Sequence, residues 1–528
     1  MKKAPFALLL SGGALGLTQS IPFLSIVSWV ATIPLFYFLA KDEPRKNSLL
    51  YGLLGLLSFC IGFTISDTVW TINFGLLKFI KLGTANACAL CITLTPALLS
   101  SNYLPSKRTL TYSLAISGWA SLEILNQSWP LAYPLHSIGT TLSEYPSLVN
   151  WYEITGTIGG TILLLCLSAV SADAIYRIGI KAKKYTPYHL APIAIWVFLA
   201  LGSSLSTNSS TQDTKQSFAI LHPNLDVRGE RREFTQSETV SHYLDLISQQ
   251  DQRADNIIAP ENVILDGGFI EDIQSGNINR DLSTVQTKLG ELNATLYIGS
   301  FVYQDVTDLP QRSEDNATPD GKHFFRAFNV ILEISASEVR IAHLKDRLVP
   351  FEEFVPFPNL LSNISKPVGG MGFYLSKDRF LTNGQIEKTE GPGHLICYES
   401  AFSFEVAKRV NEKAFNLLTV HLNEGWYDSF VGARKFNLQG VARAIETNRY
   451  VIRSSNRGIT SAIDNNGNIL ESTHKKEADV LFINAAILSN QTWFVKTGHS
   501  LIPKLLLFLS LGLAAFAILT TQRNNNKT

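Results

Sequence analysis

Long apolar segments separated by short basic loops constrain this 528-residue chain more than any other feature. A membrane-spanning helix needs roughly 20 mostly apolar residues. Eight segments meet this criterion, at residues 5–20, 22–40, 47–66, 84–104, 109–127, 153–176, 187–206 and 499–520. The first has the form of a signal peptide, but the second follows almost at once, which favours a hairpin of two spans. The sequence therefore predicts a multi-pass α-helical membrane domain with eight spans.

The charges of the loops predict the orientation of these spans, because Lys and Arg are enriched in cytoplasmic loops. The segments that eight spans place on one side are all basic, and they are Lys2 with Lys3, 41–46, 105–108, 177–184, and Arg523 with Lys527. On the other side, loop 128–152 has no Lys or Arg, and loop 67–83, with Lys78 and Lys81, is the exception. We therefore expect cytoplasmic termini and a segment 207–498 on the periplasmic side of a bacterial inner membrane.

The segment between the last two spans has the composition of a soluble domain, with acidic and basic residues throughout 216–490. Its β-rich runs alternate with helical patterns, which predicts an α/β layered domain. The nine runs are 217–221, 256–259, 295–302, 325–334, 394–398, 416–422, 449–455, 459–464 and 479–484. The predicted domains are a membrane domain with seven spans (1–206), a Ser/Thr-rich linker (207–216), the extramembrane domain (217–490), and the final span with its tail (491–528). A net charge of +1 gives no reason to expect a nucleic-acid partner.

Three reactive side chains of the extramembrane domain lie next to predicted strands or in a proline-flanked loop. Glu261 follows the β-rich run 256–259, Cys397 lies at the end of another run, and Lys345 lies in a loop before Val349-Pro350. A thiolate is a nucleophile, a carboxylate can accept its proton, and an ammonium can stabilise a tetrahedral oxyanion. Each residue alone is more often structural, but together they predict acyl transfer through a thioester.

The remaining cysteines and the histidines of the extramembrane domain predict no metal or cofactor. Free cysteine behaves as a small hydrophobic residue, and the four other cysteines all lie in apolar segments, at Cys60, Cys88, Cys91 and Cys166. His343, His394 and His421 are scattered along the sequence and lack the spacing of metal ligands. We therefore expect a catalytic site that uses neither a metal nor a cofactor.

The order Glu, Lys, Cys resembles the nitrilase (carbon–nitrogen hydrolase) superfamily over about 217–490, and this resemblance implies an αββα sandwich. Residues 423–426 and 453–460 also resemble the region that follows the nucleophile in that superfamily. Together with the spans, the chain is similar to the apolipoprotein N-acyltransferase family. The motifs that carry this similarity are Lys345 to Pro356 with Glu353, Cys397-Tyr398-Glu399, and Trp119 with Glu123.

The resemblance implies that Glu261 is the general base, Lys345 the oxyanion-stabilising cation and Cys397 the nucleophile. It implies supporting roles for four residues: Glu353 beside the lysine, the backbone N–H of Tyr398 at the oxyanion, and Glu399 and Trp426 near the site. The implied acyl donor is a phospholipid, and the acceptor is the α-amine of a lipoprotein's S-diacylglyceryl cysteine. The alternative is a membrane-anchored amidase of the same fold with water as acceptor. We expect a monomer.

Two further predictions concern the lipid. Glu123 lies in the fifth apolar segment, where a carboxylate needs a polar partner unless it reaches the headgroups from the end of the span. We also expect 355–375 to form part of an apolar entrance for acyl chains, the alternative being a covering loop. Its apolar residues are Pro356, Phe357, Pro358, Leu360, Leu361 and Phe373. Departures from the family pattern, such as Ala259, Glu352, Glu424 and Asn437, leave the three catalytic residue types unchanged.

Overall fold

The structure is a computed structural model, and its contacts divide the chain into two units. It describes residues 4–40, 48–104, 107–179, 194, 197, 214–226, 234–248, 252–309, 315–357, 374–376, 391–474 and 476–525. The first unit contains Met1–Ser128, Tyr133–Asn208 and Thr492–Thr528. The second unit contains Trp129–Ala132 and Ser209–Gln491.

The described part of the first unit is helical. Its helices are α1 (Ala4–Ser20), α2 (Ser28–Leu39), α3 (Ser48–Thr68), α4 (Leu76–Tyr103), α5 (Arg108–Leu125), α6 (Tyr152–Thr155), α7 (Thr157–Gly179) and, at the end of the chain, α13 (His499–Asn525). Short 3₁₀ turns at Pro134–His136, Thr140–Glu144 and Pro146–Leu148 connect α5 to α6. Among the described residues, four helical stretches are long and apolar enough to cross a membrane: Leu49–Phe74, Leu76–Tyr103, Thr157–Gly179 and Phe494–Thr520.

Helices occur at seven of the eight predicted spans, and the seventh prediction, 187–206, lies outside the described residues except for 194 and 197. The count of eight spans therefore stays a prediction. The predicted loop 67–83 is wrong in its second half, because α4 begins at Leu76 and contains Lys78 and Lys81. Lysine is a good helix former, and a lysine near the end of a membrane helix can extend its ammonium to the headgroups. The two lysines lowered the local hydropathy without interrupting the helix, so a prediction from hydropathy alone placed the start of α4 too late.

Small residues allow α1 and α3 to pack closely. A Cβ atom on Gly12 would overlap the carbonyl oxygen of Phe59, and one on Gly62 would overlap the carbonyl oxygen of Leu9. Close backbone approach through small residues is typical of helix pairs in membranes, where lipid tails remove the usual hydrophobic advantage of helix association. Any larger side chain at either glycine would push the two helices apart.

The carboxylate of Glu123 is buried within the first unit and accepts four hydrogen bonds. The donors are Trp119 Nε1 (3.2 Å), Ser137 Oγ (2.9 Å), the Ile138 backbone N–H (3.2 Å) and Thr161 Oγ1 (2.8 Å). These donors lie on α5, on α7 and in the segment between them. The prediction of a polar partner is therefore confirmed, and the alternative in which Glu123 reaches the headgroups is wrong.

The second unit contains two β-sheets. The first has the order β12-β1-β2-β3-β5-β4 with β6 beside β5, and the second has the order β11-β10-β9-β8-β7. The strands are β1 (Lys215–His222), β2 (Asn256–Ile258), β3 (Thr295–Asp305), β4 (Asn316–Ala317), β5 (Phe324–Ile334), β6 (Val339–Leu344), β7 (Gly391–Ile396), β8 (Phe415–Leu422), β9 (Val451–Ser455), β10 (Thr460–Ile463), β11 (Ile469–Thr473) and β12 (Asp479–Ala486). The helices are α8 (Gln236–Ser248), α9 (Ile270–Ser275), α10 (Arg280–Leu292), α11 (Ser403–Lys413) and α12 (Phe430–Thr447).

The two sheets pack face to face, and helices cover their outer faces. Successive residues of a strand point to opposite faces, so Phe218 and Ile220 of β1 lie between the sheets with Leu417 of β8. The intervening Ala219 and Leu221 instead belong to a cluster with residues of α8 and α10. On the other side, α11 packs on β8, and α12 packs on β9 and β10. These four layers form an αββα sandwich, as the resemblance implies.

Local sequence accounts for the helix ends and for most strands. Asn279 precedes α10 and its side chain accepts the Leu282 N–H at 3.0 Å, while Asn293 ends the helix in a left-handed conformation. The residues Asp464-Asn465-Asn466-Gly467 have a typical turn sequence, and after β10 they form one, since Gly467 has a φ of 85° and donates to the Asp464 carbonyl. Nine of the twelve strands coincide with predicted β-rich runs. The others, β4, β6 and β11, were not predicted.

Candidate active site

Glu261, Lys345 and Cys397 each lie just beyond the end of a strand in the second unit. Glu261 follows β2, Lys345 directly follows β6, and Cys397 directly follows β7. As predicted, Lys345 lies in the loop before Val349-Pro350; this loop begins directly after β6, so a strand end positions each of the three residues. Arg340 and His343 interrupt the apolar pattern of β6, which is why this strand is not among the predicted β-rich runs. Glu261 and Lys345 are buried, whereas Cys397 is partly exposed.

Lys345 contacts two carboxylates. Its Nζ donates to Glu261 Oε1 at 2.9 Å and to Glu353 Oε1 at 2.7 Å. Burial lowers the pKa of the Lys345 ammonium, but the two carboxylates outweigh this and raise the pKa above its ordinary value. Asn329 Nδ2 donates to the same Glu261 oxygen at 2.8 Å, and the Val349 N–H donates to Glu353 Oε2 at 2.8 Å. The ammonium is therefore charged and fixed between two oriented carboxylates.

Cys397 has a strained backbone. Its φ is 48°, in the left-handed region that a non-glycine residue rarely adopts. Such strain is found disproportionately at functional sites, and here it lies at the turn between β7 and the 3₁₀ segment Cys397–Ala401. Burial raises the pKa of the Cys397 thiol well above its usual range, the Glu261 charge raises it further, and the Lys345 ammonium lowers it. A thiol with this pKa needs a base to become a nucleophile at neutral pH.

Glu399 connects the backbone beside Cys397 to the backbone beside Lys345. Its Oε2 accepts the Ile396 N–H at 2.7 Å, and its Oε1 accepts the Asp346 N–H at 2.7 Å. Burial opposes ionisation of this carboxyl, but the hydrogen bonds from His343 and from the Ile396 N–H, together with the Arg409 charge, hold its pKa below the ordinary value. The carboxylate is therefore ionised at any physiological pH, and it joins two of the three strand ends.

The other predicted supporting residues occupy the same unit. Glu353 contacts Lys345 directly, as described above. The ring of Tyr398 is buried against Phe402, with ring centroids 5.0 Å apart, and its hydroxyl donates to the Ala132 carbonyl. Trp426 is partly exposed and ends the 3₁₀ turn that begins at Glu424.

Of the predicted acyl-chain entrance 355–375, residues 358–373 lie outside the described residues. Within the rest, Pro356 is buried and Phe357 is exposed.

Glu424, which departs from the family pattern, is a buried carboxyl with three hydrogen-bond donors. Tyr427 Oη donates to Oε1 at 2.9 Å, while Ser455 Oγ and the Ile459 N–H each donate to Oε2 at 2.9 Å. Gly458 is required beside it, because its φ is 103° and a Cβ there would overlap the Glu424 side chain. The Glu424 carboxylate is therefore accommodated by hydrogen-bond donors that this chain provides around it.

Three residues that surround the predicted site residues were not predicted from the sequence to belong to the site. Asn329 contacts Glu261, His343 contacts Glu399 at 2.7 Å, and Arg409 contacts His343 at 3.1 Å. Two of the histidines that are scattered along the sequence lie near each other in space: the rings of His394 and His421 are 5.7 Å apart, and both contact Thr419. Even so, no group of His, Cys, Asp or Glu in the described part of the chain could hold a metal ion.

Two profiles of known protein families match this chain. Residues 326–488 match the profile described as carbon-nitrogen hydrolase, which identifies the second unit as a domain of that class. Residues 11–170 match the profile described as apolipoprotein N-acyltransferase N-terminal domain. The chain thus combines a helical membrane region with a carbon–nitrogen hydrolase domain, and it belongs to the apolipoprotein N-acyltransferase family.

Curated relatives extend this similarity over most of the chain. The apolipoprotein N-acyltransferase of Shewanella oneidensis is 27% identical over 454 residues, which cover 81% of this chain and 79% of that protein. The one from Geobacter metallireducens is 25% identical and covers 87% of this chain and 85% of its own length. The one from Photobacterium profundum is 25% identical, with coverages of 91% and 90%. The similarity therefore includes both units.

Proposed function

We propose that this chain transfers an acyl chain from a phospholipid to the α-amine of the S-diacylglyceryl cysteine at the N-terminus of lipoproteins. Membership of the family supports this reaction. For this particular chain, the main support is the arrangement in which Lys345 contacts both Glu261 and Glu353, with the strained Cys397 close enough for their charges to shift its pKa. We propose Cys397 as nucleophile, Glu261 as general base and Lys345 as the cation at the oxyanion.

The first half of the proposed reaction forms a thioester. Glu261 accepts the proton from Cys397 Sγ, and the thiolate attacks the carbonyl carbon of a phospholipid ester. The Lys345 ammonium, together with the Tyr398 backbone N–H, stabilises the tetrahedral oxyanion. When the intermediate collapses, the C–O ester bond breaks, and the lysophospholipid oxygen takes the proton from Glu261. The acyl chain stays on Cys397, and Glu261 is again ionised.

The second half of the proposed reaction forms an amide. The α-amine of the diacylglyceryl cysteine attacks the thioester carbon, and Glu261 accepts a proton from the attacking nitrogen. The C–S bond then breaks and the Cys397 thiolate leaves. Proton transfer from Glu261 to this sulfur restores the thiol and completes the cycle. Glu261 thus has to accept a proton from sulfur and later from nitrogen, which suits a carboxylate that has Lys345 and Asn329 as fixed hydrogen-bond donors.

A membrane location suits both substrates. Burying one CH₂ group contributes about 0.8 kcal/mol, so extraction of a long acyl chain from the bilayer is costly. We propose the predicted eight-span arrangement with domain limits at 206, 217 and 490, cytoplasmic termini and a periplasmic catalytic domain in a bacterial inner membrane. We also propose a monomer. Protease treatment of intact spheroplasts should cleave within 207–498 and leave a C-terminal epitope protected, whereas the reverse result would refute this topology.

The test of the proposed function is mass spectrometry of the purified protein after incubation with phospholipid. We expect a mass increase of one acyl chain on Cys397, which a diacylglyceryl peptide removes while becoming acylated at its amine. Cys397→Ala should show neither the adduct nor turnover. If water removes the acyl chain equally well with and without the peptide, the chain is a hydrolase of the same fold instead.

A further inference from the structure

The proposed catalytic residues come from two different sheets. Glu261 and Lys345 follow β2 and β6 of the first sheet, whereas Cys397 follows β7 of the second sheet. The apolar packing between the sheets is strong but non-directional. A misplacement of about 1 Å between reacting groups can cost about 100-fold in rate. Some directional contact between the sheets is therefore needed to fix the thiol relative to its base and its lysine.

The first such contact passes through His343. Arg409 Nη2 donates to His343 Nδ1 at 3.1 Å and to the His394 carbonyl at 3.0 Å. Arginine has no acceptor, so His343 Nδ1 must accept, and the ring proton is on Nε2. That Nε2–H donates to Glu399 Oε2 at 2.7 Å. His343 belongs to β6 of the first sheet, while Arg409 and Glu399 follow β7 of the second, so this chain of donors crosses the interface.

The second contact passes through His421 of β8. Its Nδ1 lies 2.7 Å from the Ala259 carbonyl, which can only accept, so Nδ1 carries the ring proton. Burial lowers the pKa of His421 to about 4, so the ring is neutral and its Nε2 accepts from Thr419 Oγ1 at 2.9 Å. Thr419 in turn accepts from His394 Nδ1 at 2.8 Å. This chain begins on β7, crosses β8 and ends two residues before Glu261.

We propose that these six residues, which we call the cross-sheet polar network, position the Cys397 thiol relative to Glu261 and Lys345. The members are His343, Arg409, Glu399, His394, Thr419 and His421, and all are buried. His343 and His421 act as positioning residues, because their contacts are with Glu399 and with the Ala259 backbone. Buried hydrogen bonds of this kind are directional and costly to leave unmade. The inference rests on the proposed function only in taking Cys397 as the nucleophile.

The network is tested with matched variants of two buried arginines and two variants of His343. Arg409→Leu removes the donor to His343, whereas Arg449→Leu removes an equally buried arginine that donates to the Phe415 and Asn490 carbonyls. His343→Leu leaves Glu399 without its imidazole donor, and His343→Gln keeps an N–H at that place. The measurements are the acylation rate constant at saturating phospholipid, the apparent lipid affinity, the Tm, and the pH profile of Cys397 alkylation by iodoacetamide.

We expect Arg409→Leu and His343→Leu to lower the acylation rate constant by about 10- to 100-fold, as misplacement of a reacting group predicts. The apparent lipid affinity should stay unchanged, and the pH profile of alkylation should move. His343→Gln should recover most of the rate. Arg449→Leu should lower the Tm as much as Arg409→Leu while its acylation rate constant and pH profile stay close to those of the wild type.

Two results would overturn the positioning role. One is acylation by His343→Leu at the wild-type rate, and the other is equal loss of acylation in Arg409→Leu and Arg449→Leu. Failure of the proposed function is separate from both. A wild-type protein that forms no acyl adduct would refute the phospholipid reaction, while the alkylation profiles of the four variants would still decide whether the network positions the thiol.

Discussion

Buried carboxylates occur in both units, but their surroundings differ. In the helical unit, Glu123 accepts hydrogen bonds from an indole, two hydroxyls and a backbone N–H, all of which are neutral. In the sandwich unit, Glu261 and Glu353 both contact the Lys345 ammonium. Neutral donors satisfy a carboxylate without changing their own charge. A shared ammonium instead couples the two carboxylates, because protonation of one carboxylate changes the electrostatic environment of the ammonium and of the other carboxylate. We therefore propose that Glu123 is structural and that Glu261 and Glu353 take part in the chemistry.

The largest effect is expected when the shared cation is removed. Lys345→Met leaves Glu261 and Glu353 without their common partner and removes the proposed oxyanion donor. Loss of one such donor costs about 100- to 1,000-fold in rate, so we expect acyl-enzyme formation to fall at least that far. Quenched mass spectrometry of Cys397 measures this. Acylation within a few-fold of the wild-type rate would show that Lys345 is structural, like the donors around Glu123.

A smaller but more diagnostic effect is expected at the proposed base, because acylation and alkylation should change in opposite directions. The Glu261 charge raises the pKa of Cys397. Glu261→Gln should therefore lower that pKa, increase the thiolate fraction at a given pH and speed alkylation by iodoacetamide. Acylation should nevertheless slow by about 100-fold or more, since general-base catalysis contributes 10²- to 10⁴-fold. Parallel changes in the two rates would remove Glu261 as base.

Glu353 should have a weaker influence than Glu261. The Glu353→Gln side chain can still accept from Lys345 or from the Val349 N–H, so it keeps part of the geometry while it removes one charge beside the ammonium. Because Glu353 also raises the pKa of Cys397, alkylation should again become faster at fixed pH. We expect a roughly 10-fold loss of acylation, about one charge-assisted hydrogen bond. Glu352→Gln, at the preceding position, is the matched control and should leave the acylation and alkylation rates unchanged.

The sequence was sufficient to propose candidate reactive residues but not to predict their surroundings. Glu261, Lys345 and Cys397 could be proposed because their order and adjoining motifs are local features of the chain. Asn329, His343 and Arg409 could not, because their roles depend on which strands pair. Asn329 reaches Glu261 because β3 pairs with β2 on one side and with β5 on the other, and the Lys345 N–H donates to the Asn329 carbonyl at 2.9 Å. His394 and His421 come together through the pairing of β7 with β8, whereas His343 meets Arg409 only through packing of one sheet on the other.

The smallest effect on catalysis is expected at Glu123. In Glu123→Gln, one oxygen can still accept from Trp119 and the Ile138 N–H, and the Ser137 and Thr161 hydroxyls can rotate to accept from the new amide. The loss of stability should therefore be about 1 kcal/mol, as for one ordinary hydrogen bond, and acylation per folded molecule should not change.

Glu123→Leu leaves all four donors unpaired, at roughly 1–3 kcal/mol each, and should prevent accumulation of folded protein. Thermal unfolding in detergent and acylation of the surviving protein measure both. If Glu123→Gln stays folded but loses acylation, the carboxylate in the helical unit takes part in the chemistry, and the division between the two kinds of buried acid fails.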